Sequence, residues 1–440
     1  MSDRAGKNSE AWDALFEKYD IPGHIREHGS FLISADQIRE FREPRLMAKF
    51  DHRINLPPIF ARNGLAILPV SRGDYLIARM DAYHTFEDSD GPARRFSLPP
   101  QLQSLSAETI SSETIAIHCA MAAGIFEDFL EDSPLIPTVS GRMGSESFRF
   151  RIEAGTGIEP IPVDVSRSQI EIDAALEGQS CLALIEAKLD LAEDFLIRQL
   201  YYPFRVWAAR IPKRVRPVFL VYSNGVFRLF EYEFSDPSLY NSLRLVRQRN
   251  YTLETLRITR EDLISLAEQT SPVEEPPIAF PQADRLDRVI NLCELLADHP
   301  LTRGEITEQY AFDIRQANYY ADAGRYLGLI RRSREDGGPV YSLTEEAVRI
   351  LRLPYRPRQL EICRRIFRHR AFRETFLAWA ASGNLPDRRE IVEIMRDSHL
   401  YHVDSGSTYS RRASTVSGWI GWILRLIQED SQQSLFHTLS

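Results

Sequence analysis

The chain has 440 residues, 43% of them apolar and 26% charged, with a formal net charge of −8. That length exceeds one ordinary core and suggests about three domains with the composition of a soluble globular protein. The acidic balance excludes a chain coated in positive charge; no apolar run reaches the ~18 residues of a membrane span, and the start MSDRAGKNSE is polar, so a cytoplasmic location is expected.

Residues 1–100 read as an α+β unit. A helix is expected over 10–19, and another is capped by Ser34 or Asp36. NGLAILPVSRGDYLIARM reads as a hairpin turning at Ser71-Arg72-Gly73-Asp74, and 89–100 as a connecting segment. Residues 101–270 alternate helix and strand. A helix over 111–132, capped by Ser111 or Ser112, precedes strands at 148–155, 169–178 and 180–189. A helix over 192–211, bent near Pro203, then leads to a hairpin turning at Asn224-Gly225. The order α-β-β-β-α-β-β implies an α/β (α+β) multidomain chain with a mixed β-sheet flanked by helices.

Residues 271–281 form a Pro-rich linker. In 282–354, three helices, the second opened by a Thr302/Glu305 capping box and the third closed at Gly328, precede two strands around a Gly-Gly turn. That pattern describes a winged helix-turn-helix. Residues 355–440 read as helical, over roughly 358–381, 387–398 and 408–428, the last two resembling a second helix–turn–helix pair.

Cys119, Cys181, Cys293 and Cys363 are scattered and read as buried reduced thiols; the ten histidines form no metal motif. Positive charge is almost all Arg. Only Lys7, Lys18, Lys49, Lys188 and Lys213 are lysines, so a given position is Lys by chance about once in ninety. Residues 281–440 carry 23 Arg against 21 acids, and 351–373 hold eight Arg with one acid, Glu361.

IEIDAALEGQSCLALIEAK, residues 170–188, sets charges on apolar strands. If 170–176 pairs with 182–188, Glu171 and Asp173 share one face, as do Glu186 and Lys188, and register can bring Asp173 beside Glu186. Two such carboxylates repel unless a cation lies between them, and hard oxygen ligands suit Mg2+. A lysine on that face can orient or deprotonate water and offset charge on a scissile phosphate. The plainer alternative is a pair of exposed charges on a half-covered hairpin.

Asp173, Glu186 and Lys188, with a helix and strand following in order, resemble the core of the PD-(D/E)XK nuclease superfamily. The proline often preceding the Asp is replaced by Ile172. The resemblance implies that Asp173 and Glu186 bind Mg2+ and Lys188 handles water. Gln199, with Tyr201 or Tyr202, is similar to a Q-x-x-x-Y motif and would support the site. Glu113, with Glu127 behind it, stands where some branches place a further metal ligand. Arg142, Arg149, Arg198 and Arg205 are candidate phosphate contacts, and Arg42, Arg45 and Lys49 weaker ones, leaving residues 1–100 a candidate recognition unit.

On the winged helix, Arg315, Gln316 and Tyr319 are nominated to meet base edges, and Arg331, Arg332 and Arg334 to meet phosphates, with Tyr320 and Leu327 in the core. In the last helix Thr408, Tyr409, Arg411, Arg412 and Thr415 are candidate backbone contacts, and Trp419 and Trp422 packing residues. No G-x-x-x-x-G-K-[ST] motor and no methyltransferase-like loop is present. A nuclease core with its own readers resembles a type II restriction endonuclease. Its partners would be double-stranded DNA, a second copy forming a homodimer on DNA, and a cognate methyltransferase as a separate protein. The alternatives are a structure-specific repair or recombination nuclease and a winged-helix regulator with an inactive nuclease-like domain.

Overall fold

The computed structural model describes residues 4–427, apart from 88–90, 109, 156–158, 254–256, 311–313, 336–337, 402 and 404. Near the N-terminus, helices pack Trp12, Phe16 and Phe60 into one core. Against them lies a three-stranded antiparallel sheet, Ser30–Ser34, Asp74–Ala78 and Ala66–Pro69. The hairpin expected at Ser71–Asp74 forms, and Ser34, not Asp36, caps its helix through a capping box with Gln37.

A seven-stranded sheet dominates the middle of the chain. Its order is Ala93–Arg95, Leu243–Thr252, Val226–Phe234, Arg214–Ser223, Cys181–Lys188, Gln169–Glu177 and Ile136–Gly144. Gln169–Glu177 runs antiparallel to both of its neighbours, whereas Arg214–Ser223 runs parallel to Cys181–Lys188. A parallel neighbour requires a crossover, and the helix Arg198–Arg210 supplies it, with Pro203 inside. Apolar residues pack both faces of the sheet, which suits the nearly unbroken apolar run of Arg214–Ser223. Asn224 and Gly225, both at positive φ, close the expected hairpin.

Three expectations are corrected here. The strand at 147–152 forms but pairs with Ile161–Ser166 in a separate two-stranded ribbon. Its expected place in the large sheet is taken by Ile136–Gly144, whose Pro137 and Gly141 disguise a strand. As a sheet edge, that strand tolerates both. The helix expected through 132 breaks at Gly124 into Glu113–Ala122, capped by Ser112, and Ile125–Leu130. The helix expected from 192 begins at Arg198, because Asp194–Leu196 pairs with Tyr83–Thr85.

The C-terminal core begins earlier than expected: the helix Arg260–Gln269 already packs Leu263 and Leu266 into it. Residues 271–281 are irregular yet anchored, with Phe280 stacked on Phe372 and Glu275 accepting from the Tyr326 hydroxyl. Helices Leu286–Leu295, Arg303–Gln309 and Ile314–Tyr326 follow. They are joined by a small antiparallel sheet of Leu301–Thr302, Gly338–Leu343 and Ile330–Glu335. Tyr320 and Leu327 are buried there. The helix expected over 358–381 divides at His369 into Tyr355–Phe367 and Arg370–Ser382. Arg388–Arg396 packs on Gly406–Arg425, whose Trp419 and Trp422 are buried. All four cysteines are buried and free. No helix among the described residues is long and apolar enough to cross a membrane.

Candidate active site

The strands Gln169–Glu177 and Cys181–Lys188 pair from Leu182–Glu177 to Ile185–Ala174, and their ladder stops there. One step beyond stand Asp173 and Glu186, side by side at the point of divergence. The Ala187 amide, lacking a carbonyl opposite, donates to Asp173 Oδ2 at 2.8 Å. A bulge accounts for the divergence. Between Val139–Ala175 and Gly141–Ile172 the edge strand advances two residues and the Asp173 strand three. Ile170, Ile172 and Ala175 therefore enter one core while Ala174 and Leu176 enter the other. The alternation expected to place Glu171 and Asp173 on one face breaks here. Glu171 is exposed and pairs with Arg142 at 3.2 Å.

Glu186 is 8% exposed, and its Oε1 accepts both from Lys188 Nζ at 2.7 Å and from Gln199 Nε2 at 2.7 Å. Burial pushes the Glu186 carboxyl up to about 7; Lys188 opposes the rise and Asp173 adds to it. Burial works against the Lys188 charge, but attraction to Glu186, then to Glu113 and Asp51, holds the ammonium well above its usual range. Gln199 Oε1 is buried without a hydrogen-bond partner.

Glu113, in the first turn of its helix, joins this charge cluster. Burial raises its carboxyl, Lys188 opposes, and Asp173 and Asp190 add. Glu127 instead accepts from Ser133 and the Leu135 amide. Tyr201 and Tyr202 are fully buried, bonded to the Pro237 and Pro69 carbonyls, and do not line the site. Among the described residues, no three His, Cys, Asp or Glu side chains already converge as metal ligands.

The N-terminal unit also reaches the site. Asp51 acts on both Glu186 and Lys188, and the exposed Lys49 pairs with Asp51 at 3.6 Å. His52 is buried between Asp190, at 3.5 Å, and Asp194, whose carbonyl lies 2.5 Å from Nδ1. Burial works against its charge, but Asp190 and then Asp194 raise the imidazole to about 10. Asp190 stands two residues after Lys188 and could have been read from that spacing. Asp51 and His52 are too distant in the chain to leave a local signal.

The candidate nucleic-acid contacts divide. Arg149 is engaged by Asp164 through two hydrogen bonds, and Arg205 ties Tyr201 to backbone carbonyls. Arg198 lies over the Tyr202 ring with its Nε buried, not at the carboxylates. Arg42 donates to Asn8, and Arg45 is exposed. Arg331, Arg332 and Arg334 line an exposed strand, while Gln316 is half-buried and Tyr319 exposed. The Arg315 side chain lies outside the described residues. In the last helix Arg411 is exposed, and Thr408 and Tyr409 are half-buried. Arg412 and Thr415 are buried, a correction of their expected exposure. They face inward because the helix turns that side to Asp284, which accepts from Thr415 at 2.6 Å.

Three family models match the chain, each a domain of unknown function: DUF6996 over residues 9–77, DUF6997 over 78–252 and DUF7226 over 288–428. The first two fall on the N-terminal core and the large sheet, and the third on the C-terminal core without its first helix, Arg260–Gln269. No curated protein and no solved structure matches the chain.

Proposed function

We propose that the chain is a Mg2+-dependent double-stranded DNA endonuclease of the PD-(D/E)XK type, acting as a type II restriction enzyme. The observation that carries this reading is the placing of Asp173 next to Glu186 where two strands part, with Lys188 and Gln199 bonded to Glu186. The connectivity supports it: helix, three antiparallel strands, helix, then a strand parallel to the third.

The donor set fits a hard divalent ion. Asp173 and Glu186 offer carboxylate oxygens, Glu113 belongs to the same charge cluster, and burial with Asp173 beside it raises the Glu186 carboxyl against the pull of Lys188. When bound, Mg2+ would supply Lewis acidity toward a phosphate oxygen. Lys188, held protonated, serves as a cation that orients water and offsets charge on the phosphate rather than as a free base. Gln199 keeps the Glu186 carboxylate in one orientation. The C-terminal helices and small sheet act as a winged-helix reader, with Arg331, Arg332 and Arg334 facing phosphates.

Purified protein with Mg2+ should cut plain duplex DNA into discrete fragments. Lys188→Ala should lower cleavage by at least about a hundredfold while binding of the same duplex in Ca2+ persists. Undiminished cleavage by that variant refutes the assignment, and a smear of fragments would favour a nuclease that reads structure instead of sequence.

A further inference from the structure

Lys188 ends its strand, and Leu189–Glu193 leave it without a strand partner of their own. Backbone groups so close to a buried site need partners, and a side chain of the C-terminal unit provides two of them. Asn291, fully buried in the helix Leu286–Leu295, spans Asp190. Its Oδ1 accepts from the Leu191 amide at 2.9 Å and its Nδ2 donates to the Leu189 carbonyl at 2.9 Å. The same Nδ2 reaches Ser223 Oγ at 3.3 Å, at the end of the parallel strand.

The other buried residues of this helix are apolar, Leu286, Val289, Ile290, Leu292 and Cys293, except for Arg288. A primary amide among them costs free energy unless fully bonded, so its presence reflects what it holds. Nearby, Arg288 donates to Glu193 at 2.9 Å. From the opposite side His52 meets Asp190 and Asp194, and the Arg53 amide donates to Asp194 Oδ1 at 3.1 Å. Asp190, between the two points gripped by Asn291, acts electrostatically on Glu113 and is acted on by Lys188.

We infer that Asn291 is a positioning residue for Lys188. By clamping the exit of the catalytic strand, it makes the first helix of the C-terminal reader part of the frame of the active site, with His52 bracing the other side. The catalytic role of Lys188 rests on the nuclease reading; the clamp rests on the hydrogen bonds alone. A reader built this way shares a rigid joint with the chemistry rather than hanging from a tether.

The scarcity of lysine makes this measurable. In protein labelled at lysine 13Cε, at most five side-chain signals occur, and Lys188→Arg identifies the one from Lys188. In Asn291→Ala the Lys188 signal should shift by more than its line width while those of Lys7, Lys18 and Lys213 stay in place. Single-turnover cleavage should fall on the order of 10–100-fold with duplex affinity in Ca2+ changed less than about twofold. Asn291→Ser, which retains a hydroxyl, should give a smaller shift and partial rescue, and stands in if the alanine variant does not fold. An unmoved Lys188 signal in either folded variant overturns the positioning role. Wild-type protein that cuts no duplex overturns the nuclease reading, while a moved Lys188 signal still upholds the clamp.

Discussion

At Glu186 two effects of the fold compete: burial beside Asp173 disfavours the carboxylate, while Lys188 and Gln199 donate to it. The balance leaves the carboxyl near 7, far above its ordinary 4.5. A divalent ion and a proton would then compete for the same oxygens. Mn2+ affinity should weaken about tenfold per pH unit below about 7 and level off above it. Titration of the metal-free protein between about pH 5.5 and 8.5 checks this, and a flat profile would exclude Glu186 as a ligand. Asp173, Glu186 and Lys188 were legible as residues because a scarce lysine follows an acid by two positions on an apolar strand. Their charge states were not, because burial and neighbours set them.

Among the elements, those with strong local chemistry were legible. Asn224-Gly225 announces its hairpin, and Thr302 and Glu305 their capping box. The edge strand Ile136–Gly144 was not, since Pro137 and Gly141 are breakers anywhere except at an unpaired edge. The bulge at Asp173 likewise depends on which strand lies opposite. The strand Ile330–Glu335, whose arginines are exposed, carries its own consequence under the proposed reading of this unit as a DNA reader. Replacing Arg331 and Arg332 by alanine should weaken duplex binding almost uniformly across sequences. The slope of log affinity against log salt should become shallower by about 0.9 for each phosphate that is no longer neutralised. A titration over a salt series measures this, and an unchanged slope would remove the wing from the DNA interface.

Across the whole molecule, the three units meet at the segment after Lys188. Asn55 also bonds the Thr307 carbonyl, joining the N-terminal unit directly to the C-terminal one. His52 makes the junction sensitive to pH. Its imidazole, ordinarily near 6.5, is held near 10 by Asp190 and Asp194 against the cost of burial. A folded value raised this way contributes stability that is complete below about pH 6.5 and lost as pH rises through about 10, amounting to at most about 5 kcal/mol. His52→Gln should therefore lower the Tm at pH 7, and its gap from wild type should narrow as pH approaches 10. Thermal melts of both proteins across that range decide it, and a gap independent of pH would show that His52 matters only for packing.

The sequence by itself determined the alternation of helices and strands, the turns, and the acids and lysine of the candidate site, because periodicity, turn chemistry and residue scarcity are local properties. Only the tertiary structure decided which strand borders Asp173, which carboxyl burial pushes up, and that Asp51, His52 and Asn291 reach the end of the strand that carries Lys188. Those outcomes follow from burial and from hydrogen bonds between residues as much as a hundred or more positions apart. No spacing along the chain encodes them.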